Sequence, residues 1–321
     1  MTLPEKFAAR VLSELGPEEG AALCAALDTE PPVSVRLNPA KCAGAAEPGA
    51  VQDGTGAAPG GYGSPQGSSR TDVPAPLPVL QNADGRVPWC ADGYYLAVRP
   101  QFTFDSDFHA GAYYVQEASS QFVGRLMGGE GVAGKRILDL CAAPGGKSFS
   151  AAFAMEDKGE IVSCDLHENK LKRIQEGAAR LDLTSITTSA GDGRVFRPEW
   201  AERFDTVLVD APCSGLGIIR KKPDVRYKKA DDLFTLPVIQ TALLDNAAQY
   251  VAPGGVLVYS TCTILPEENE QVTDAFLTEH SDFCRDGFTL PAPVGETEGQ
   301  LTLWPQRHGT DGFYICRMKR T

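Results

Sequence analysis

Two cysteines of this sequence follow predicted strands, where a thiol could act as a nucleophile. Cys213 belongs to Asp210-Ala-Pro-Cys-Ser-Gly215, and Cys262 ends Ser260-Thr-Cys262. Most cysteines of proteins in a reducing compartment are small buried hydrophobes, and we interpret the other seven of the nine in that way. Two thiols at the mouths of adjacent strands are different, because a thiolate there can attack a substrate covalently.

A glycine turn lies at the centre of the chain, within Arg136-Ile-Leu-Asp-Leu-Cys-Ala-Ala-Pro-Gly-Gly-Lys147. Its apolar residues predict a buried strand, its small residues end that strand, and a helix is predicted from Lys147 onwards. Gly145 and Gly146 let the backbone approach a ligand, and the helix start offers unpaired N–H groups. This pattern predicts the opening unit of a nucleotide-binding α/β sheet. It is not a P-loop, because the Gly-Lys-Ser/Thr spacing is absent.

Three predicted strands end in an aspartate: Asp165, Asp192 and Asp210. Ligands of open α/β sheets bind beyond the carboxyl ends of the strands, so we expect Asp165 to hold ribose hydroxyls and Asp192 to lie beside an adenine. A single strand-end acid is commonly a helix cap or a turn former. Three acids in register with the glycine turn favour a ligand site.

The composition is that of a globular protein, with 42% hydrophobic and 22% charged residues in 321. No apolar run approaches the roughly 20 residues of a membrane span, and the N-terminus lacks the signal-peptide pattern. The odd number of cysteines and the absence of a Cys-x-x-Cys pair argue against a disulfide framework and a zinc site. We therefore expect a cytoplasmic protein without a metal. The net charge of −12 restricts any nucleic-acid binding to a local basic patch.

The chain divides into two predicted domains. Residues 1–108 form a small α+β domain with a flexible insertion at 43–78, a run of Gly, Ala, Pro, Ser and Gln that cannot bury enough apolar surface to become ordered. Residues 109–321 form an α/β domain in which strands and helices alternate, as a parallel sheet requires. Tyr113–Val123 is predicted to open a helix leading into it. A hairpin of Leu301–Trp304 and Phe313–Met318 is predicted at its end.

Three of these motifs together resemble the signatures of the Nol/Nop/Sun family of RNA 5-methylcytosine methyltransferases. They are Asp139–Lys147, Asp210–Gly215 and Tyr259-Ser-Thr-Cys-Thr-Ile-Leu-Pro-Glu-Glu-Asn-Glu270. Further segments are similar to the bacterial RsmF-like branch, which modifies small-subunit ribosomal RNA, and the likeness covers most of the chain outside 43–78. These segments are Val35–Pro39, Pro88–Cys90, Tyr114–Ser120, Gly191–Phe196, Trp304–Gln306 and Gly312–Tyr314. Proteins of this branch usually continue into a further RNA-binding domain beyond the position of Thr321.

The resemblance implies a Rossmann-like methyltransferase fold with a mostly parallel seven-stranded sheet and S-adenosylmethionine as cofactor. It implies Cys262 as the nucleophile and Cys213 as the helper that releases product. The cofactor residues that it implies are Cys141, Ala142, Ala143, Pro144, Gly145, Gly146, Lys147, Asp165, Asp192 and Asp210.

The chemistry agrees with these roles. Carbon 5 of cytosine is too weak a nucleophile to take a methyl group from sulfur unaided, and thiolate addition at carbon 6 activates it. Asp210 could supply the proton for ring nitrogen 3 if its carboxyl were protonated in a dry site. The target base must leave any stack to reach Cys262.

The densest basic segment follows the Cys213 loop, and its position favours phosphate contact over a merely solvated helix face. Its residues are Arg220, Lys221, Lys222, Arg226, Lys228 and Lys229. We expect a monomer that acts on ribosomal RNA. Transfer RNA is an alternative substrate, and a non-catalytic ribosome-assembly factor is an alternative of another class, which needs neither thiol. A DNA cytosine methyltransferase would use Cys213 as its nucleophile, and the Ser-Thr-Cys262 motif argues against that.

Overall fold

A computed structural model of the chain describes residues 3–42, 77–127, 133–227 and 230–321. The predicted insertion at 43–78 falls almost entirely outside these residues, so its flexibility stays a prediction. Within the described ranges, no helix has the length and apolar character needed to cross a bilayer.

The N-terminal part combines a helical hairpin with a small antiparallel sheet of order β2-β3-β1-β4. Its elements are α1 (Glu5–Leu15), α2 (Pro17–Leu27), β1 (Val33–Leu37), β2 (Ala83–Arg86), β3 (Gly93–Leu96), α3 (Ser106–His109) and β4 (Tyr113–Val115). The helix predicted from Tyr113 is wrong at its start, because Tyr113–Val115 is β4 and pairs with β1. Aromatic and β-branched residues suit a pleated surface better than a helix. The small sheet therefore continues past residue 108.

Two short helices, α4 (Ala118–Gln121) and α5 (Val123–Leu126), lead into the central sheet. That sheet has seven strands in the order β10-β14-β9-β8-β5-β6-β7, and β13 joins β14 as an eighth. Its strands are β5 (Arg136–Asp139), β6 (Glu160–Asp165), β7 (Ile186–Ala190), β8 (Phe204–Asp210), β9 (Val251–Thr261), β10 (Phe283–Arg285), β13 (Gln300–Leu303) and β14 (Phe313–Arg320). A separate ribbon pairs β11 (Phe288–Leu290) with β12 (Gly295–Thr297).

Strands β5 to β9 are parallel, and β14 adds to β9 in the antiparallel sense. The mostly parallel seven-stranded sheet is therefore confirmed, as is the final hairpin, which is the β13–β14 pair. The remaining helices are α6 (Gly146–Ala154), α7 (Glu168–Leu181), α8 (Ala230–Ala248), α9 (Glu270–Glu279) and α10 (Pro305–His308).

The sheet is buried on both faces, which explains its continuous apolar strands. In β8, Leu208 packs on the same side as Phe149 of α6 and Ile174 of α7. Its neighbours Val207 and Val209 point to the opposite side, where Leu243 of α8 packs. Alternate residues of one strand thus serve two cores, and a three-layer α/β/α structure results.

Strand β5 lies between β6 on one side and β8 on the other, so the strand order reverses at β5. In open α/β sheets, ligands bind at such a reversal, beyond the carboxyl ends of the strands. The segments that follow β5, β6, β7, β8 and β9 all begin at this edge. The predicted site residues are therefore gathered at one edge of the sheet.

Candidate active site

The turn after β5 has the geometry that its glycines permit. Gly145 adopts a left-handed conformation with φ of 107°, and a Cβ atom there would lie 2.6 Å from the Phe149 ring. The N–H of Ala142 donates to the carbonyl of Cys164, and the N–H of Ala143 donates to Asp165 Oδ2 at 3.3 Å. These bonds hold the turn after β5 against the end of β6. The turn consists of Cys141, Ala142, Ala143, Pro144, Gly145, Gly146 and Lys147.

Asp165 and Asp192 follow neighbouring strands, as predicted. Asp165 is buried, and its carboxylate also accepts the N–H of His167 at 3.0 Å. The carboxylate of Asp192 pairs with Arg194 at 2.7 Å, and the hydrogen bonds from Arg194 lower the pKa of Asp192. Both carboxylates are ionic acceptors at the edge where a ribose and a base are expected.

Three apolar side chains beside these acids are exposed, and the sequence reasoning did not single them out. They are Leu166, Val195 and Phe196. The Phe196 ring stacks on Tyr250 with ring centroids 5.8 Å apart. We call Asp165, Leu166, Asp192, Val195 and Phe196 the acid half of the site. The signal that could have found the apolar members is their position directly after strand-end acids.

On the other side of the strand reversal, Lys147 and Asp210 form an ion pair. Lys147 Nζ donates to Asp210 Oδ2 at 2.7 Å, and Ser260 Oγ donates to Asp210 Oδ1 at 2.8 Å. Burial opposes the charge on Lys147, but the neighbouring Asp210 outweighs it and raises the pKa of Lys147. Lys147, predicted as part of the cofactor turn, is thus also a cation beside the catalytic candidates.

The two candidate thiols meet. Cys213 Sγ and Cys262 Sγ lie 3.3 Å apart, a hydrogen-bond distance, and all nine cysteines of the chain are free. The hydrogen bond from Cys213 lowers the pKa of Cys262, and the charges of Lys147 and Lys222 act in the same direction against the effect of burial. The same hydrogen bond, together with burial and the charge of Glu268, raises the pKa of Cys213. Of the two thiols, Cys262 is therefore the more acidic and Cys213 the less acidic. We call Lys147, Asp210, Cys213 and Cys262 the thiol half of the site.

Glu268 supports the Cys213 loop, and sequence reasoning did not assign it a role. Its side chain is buried, and Oε2 accepts the backbone N–H of Ser214 at 2.8 Å and Nε2 of Gln240 at 2.9 Å. The Ser214 hydroxyl also lies 2.7 Å from the Thr263 hydroxyl. These bonds tie the loop after β8 to the loop after β9, so the distance between the thiols is fixed by both loops.

Asp139, the last residue of β5, is a further acid to which sequence reasoning assigned no role. It is fully buried, which raises its pKa to about 7, while the hydrogen bond from Ser148 Oγ at 2.7 Å opposes that rise. Ser148 in turn accepts a bond from Ser163 at 2.8 Å. Because the Ser148–Asp139 hydrogen bond connects the end of β5 to α6, it positions the turn that lies between them.

The N-terminal part contributes one wall of the site. A cavity of about 190 Å³ lies between the segment Tyr114–Ser120 and the turn after β5, with Lys147 and Asp210 in its lining. Gln116 Nε2 donates to the carbonyl of Gly146 at 2.8 Å, which fastens this wall to the start of α6.

The predicted basic segment divides into different environments. The Arg220 side chain is only 4% exposed and donates to Asp311 at 2.7 Å, and Lys221 Nζ lies 2.7 Å from the same carboxylate. This burial does not suit a phosphate contact by Arg220. Lys222 is exposed, and its charge reaches Cys262. The side chain of Arg226, together with Lys228 and Lys229, lies outside what the structure describes.

In the described parts of the chain, no three His, Cys, Asp or Glu side chains are grouped so that they could hold a metal ion. The thiol half presents two thiols of unequal acidity, a cation and a carboxylate. Such a set suits nucleophilic addition followed by proton removal.

Comparison with known proteins connects these features. The family model described as 16S rRNA methyltransferase RsmB/F matches residues 130–319. A second model, described as the N-terminal domain of 16S rRNA methyltransferase RsmF, matches residues 69–118. Together the two matches include every lining residue of the 190 Å³ cavity except Ser120.

Individual proteins agree with the family models. A probable ribosomal RNA small subunit methyltransferase B of Bacillus subtilis is 44% identical over 220 residues, which are 66% of this chain and 49% of that protein. Ribosomal RNA small subunit methyltransferase F of Serratia proteamaculans is 32% identical over 256 residues, 76% of this chain and 54% of that protein. The chain thus spans about half the length of these relatives. The crystal structure of a methyltransferase homolog from Pyrococcus horikoshii aligns with 99% of this chain and 95% of its own, at 26% identity and a TM-score of 0.74.

Proposed function

The chain belongs to the 16S rRNA methyltransferase RsmB/F family, and from that premise we propose that it methylates carbon 5 of a cytosine in small-subunit ribosomal RNA. The observation that carries the proposal is the contact of Cys213 with Cys262 at 3.3 Å, beside the Lys147–Asp210 pair. An assembly factor that only binds RNA needs neither a thiolate nor a second thiol to release it.

S-adenosylmethionine is the cofactor of this methyltransferase family and supplies the methyl group. The residues present fit it, because the small-residue turn after β5 lies at the edge where open α/β sheets bind their ligands and lines the 190 Å³ cavity through Ala142, Ala143, Pro144 and Gly146. Asp165 offers carboxylate oxygens for ribose hydroxyls, and Phe196 offers an exposed ring for the adenine.

The thiol half provides the chemistry on the base. The Cys262 thiolate adds to carbon 6, a carbon–sulfur bond forms, and the electrons of the carbon 5–carbon 6 double bond move into the ring as nitrogen 3 takes a proton. That proton passes through Asp210. The raised pKa of Lys147 keeps this proton on the lysine in the free enzyme, so it moves along the Lys147–Asp210 hydrogen bond to nitrogen 3 as negative charge develops there.

Activated in this way, carbon 5 can take the methyl group that bound S-adenosylmethionine would supply, as the bond between that methyl group and its sulfur breaks. Cys213, in contact with Cys262 in the free enzyme, gives its own proton to water and, as a thiolate, accepts the proton on carbon 5. The electron pair of that carbon–hydrogen bond re-forms the double bond and expels Cys262 as a thiolate. Nitrogen 3 returns its proton through Asp210 to Lys147. The target base is unstacked for all these steps.

Two further features belong to the proposal. The predicted N-terminal domain, about residues 1–108, binds the RNA, and the predicted domain from about residue 109 onwards carries the reaction. Nine free thiols suit a reducing compartment, so we place the reaction in the cytoplasm, with the protein acting as a monomer.

The test is methylation of unmodified 16S ribosomal RNA, small subunits and transfer RNA with labelled S-adenosylmethionine, followed by mass spectrometry of the nucleosides. We expect 5-methylcytidine in the ribosomal RNA. Cys262→Ala abolishes it, and Cys284→Ala, which removes an exposed cysteine outside the site, leaves it unchanged. A methyl group at another atom, or full turnover by Cys262→Ala, contradicts the proposal. Methylation of transfer RNA alone would change the substrate and keep the reaction.

A further inference from the structure

A second cavity, of about 780 Å³, opens on the N-terminal part outside the thiol and acid halves. Its lining is rich in aromatic rings and includes one arginine. We call it the Arg99–Phe108 groove, and its main lining residues are Arg99, Pro100, Phe102, Phe104, Phe108 and Tyr114. Its volume falls within the range of small-molecule sites, about 300–1,000 Å³.

Phe104 is the most unusual residue of this groove, because its side chain is 83% exposed. The segment that carries it is nevertheless anchored. Phe102, one turn earlier, packs with ring centroids 6.1 Å from both Phe108 and Tyr113. His109 Nε2 lies 2.8 Å from the carbonyl of Thr103, within hydrogen-bond distance. The fold thus holds the backbone of this segment in place and presents the Phe104 ring to solvent.

The charge of the groove suits an anionic ligand. The Arg99 guanidinium lies 5.5 Å from the Phe102 ring centroid, and Arg180 lies 4.3 Å from the Phe108 centroid behind it. The nearest acid on this segment, Asp105, is already engaged by the backbone N–H groups of α3 and by the Tyr113 hydroxyl at 2.6 Å. Arg99 is exposed, so its guanidinium is accessible to such a ligand.

The groove adjoins the 190 Å³ cavity. Tyr114 and Val115 of β4 line both cavities. Lys147 and Asp210, the ion pair beside Cys262, line the smaller cavity only. A polynucleotide whose target base lies at Cys262, against this ion pair, would therefore have its neighbouring nucleotides close to the groove.

We propose that the Arg99–Phe108 groove binds a nucleotide that flanks the target base in single-stranded RNA, with the flanking base stacked on Phe104 and its phosphate paired with Arg99. Aromatic rings and arginine planes are the groups on which unstacked RNA bases are recognised. The inference rests on the proposed function, since it takes RNA as the substrate, and it adds a binding site away from the reacting atoms.

The experiment measures fluorescence anisotropy of a labelled single-stranded RNA about 12 nucleotides long, with S-adenosylhomocysteine present so that no reaction occurs. We expect Phe104→Ala to weaken RNA binding by roughly five- to hundredfold, the loss typical of one stacked base. Phe104→Trp keeps a stacking ring and restores binding, and Arg99→Ala weakens binding and its dependence on salt. The matched control is Val98→Ala, which changes a 66% exposed residue of the same segment outside the groove lining.

Equal RNA affinity in wild type, Phe104→Ala and Val98→Ala contradicts the proposal that the groove binds RNA. So does a Phe104→Ala effect on self-association alone, measured by sedimentation, because the ring would then serve a protein contact. Failure of the proposed function looks different: RNA binding would depend on Phe104 while no 5-methylcytidine forms. Because Phe104 is exposed, the variant should unfold at the wild-type temperature, and this is checked in the same preparation.

Discussion

In both halves of the active-site edge the acids are bonded within the protein, Asp192 to Arg194 among them, but the two halves differ in how much apolar surface they leave exposed. In the thiol half, Lys147 pairs with Asp210, and the two thiols contact each other. In the acid half, Asp165 accepts N–H groups from neighbouring loops, but Leu166 and Phe196 leave apolar surface exposed. The half proposed to make and break bonds is thus preassembled. The half proposed to hold the cofactor leaves its surfaces to be completed by the ligand.

This difference has a physical reason. Groups that stabilise charge in a reaction act best when their dipoles and charges are oriented beforehand, because reorganisation at the moment of reaction costs free energy. Binding surfaces gain from the opposite arrangement, since apolar area that is exposed before binding leaves water on binding. Substitutions in the thiol half should therefore reduce the rate, and substitutions in the acid half should reduce cofactor affinity.

Among variants that keep the nucleophile Cys262, the largest effect is expected for Cys213→Ala, which removes the group that assists elimination. Loss of a proton-transferring group costs roughly a hundred- to ten-thousandfold in turnover. The adduct between Cys262 and RNA should then accumulate as a slowly migrating band that survives denaturant and disappears on digestion with RNase. Because Cys213 also lowers the pKa of Cys262, adduct formation should be slower at neutral pH and recover at alkaline pH.

Cys262→Ala is the matched control for the adduct, since it keeps Cys213 and removes the attacking thiolate. It should form no band at any pH. A band with Cys262→Ala and none with Cys213→Ala would exchange the roles of the two thiols. That result would contradict the pKa argument for Cys262 as the attacking thiolate. It would leave the comparison between the two halves unchanged.

A smaller loss, about hundredfold at neutral pH, is expected for Lys147→Met, because an oriented charged donor beside a reacting centre contributes about that much. The ammonium of Lys147 lowers the pKa of Cys262. Its removal raises that pKa, so the rising limb of the pH–rate profile moves to higher pH. Lys147→Arg keeps the charge and should keep the wild-type limb. An unmoved limb in Lys147→Met would show that the cation does not act on the thiolate.

Much of this site could be predicted from the sequence, because its residues lie directly after strands. Parallel strands end at one edge, so Asp165, Asp210 and both cysteines had to come together once the strands were recognised. The Cys213–Cys262 contact depends on the positions of the loops after β8 and β9. Glu268 ties these loops together by accepting the N–H of Ser214, which lies 54 residues away in the sequence. Such long-range hydrogen bonds leave no local pattern.

The basic segment shows the limit most clearly. By composition, Arg220 and Lys222 belong to one positively charged run. In the structure Arg220 is buried against Asp311, 91 residues away, whereas Lys222 is exposed. A buried arginine must be paired, because an isolated charge in the interior is costly, but sequence does not reveal which acid pairs with it. Phe104 is the reverse case, because its residue type predicts burial and its side chain is exposed.

The smallest effect is expected in the acid half, for Asp165→Ala. The carboxylate accepts N–H groups from Ala143 and His167, and its remaining acceptor capacity is available to ribose hydroxyls. Hydrogen bonds to a charged group contribute about 1.5–3 kcal/mol, so cofactor affinity should fall roughly ten- to hundredfold. Calorimetric titration with S-adenosylhomocysteine measures this, and the rate at saturating S-adenosylmethionine should stay near that of wild type.

Asp165→Asn is the control that separates binding from support of the turn. The amide oxygen can accept one of the two backbone N–H groups, from Ala143 or His167, whereas its NH2 group can accept neither the other nor a ribose hydroxyl. If the carboxylate binds ribose, both variants lose cofactor affinity to a similar extent, although Asp165→Asn unfolds at a higher temperature than Asp165→Ala. If the carboxylate serves the turn alone, the loss of affinity follows the loss of turn bonds and is smaller in Asp165→Asn. A rate that falls with saturating cofactor in either variant would mean that the acid half reaches into the chemistry, and the division between the two halves would then be wrong.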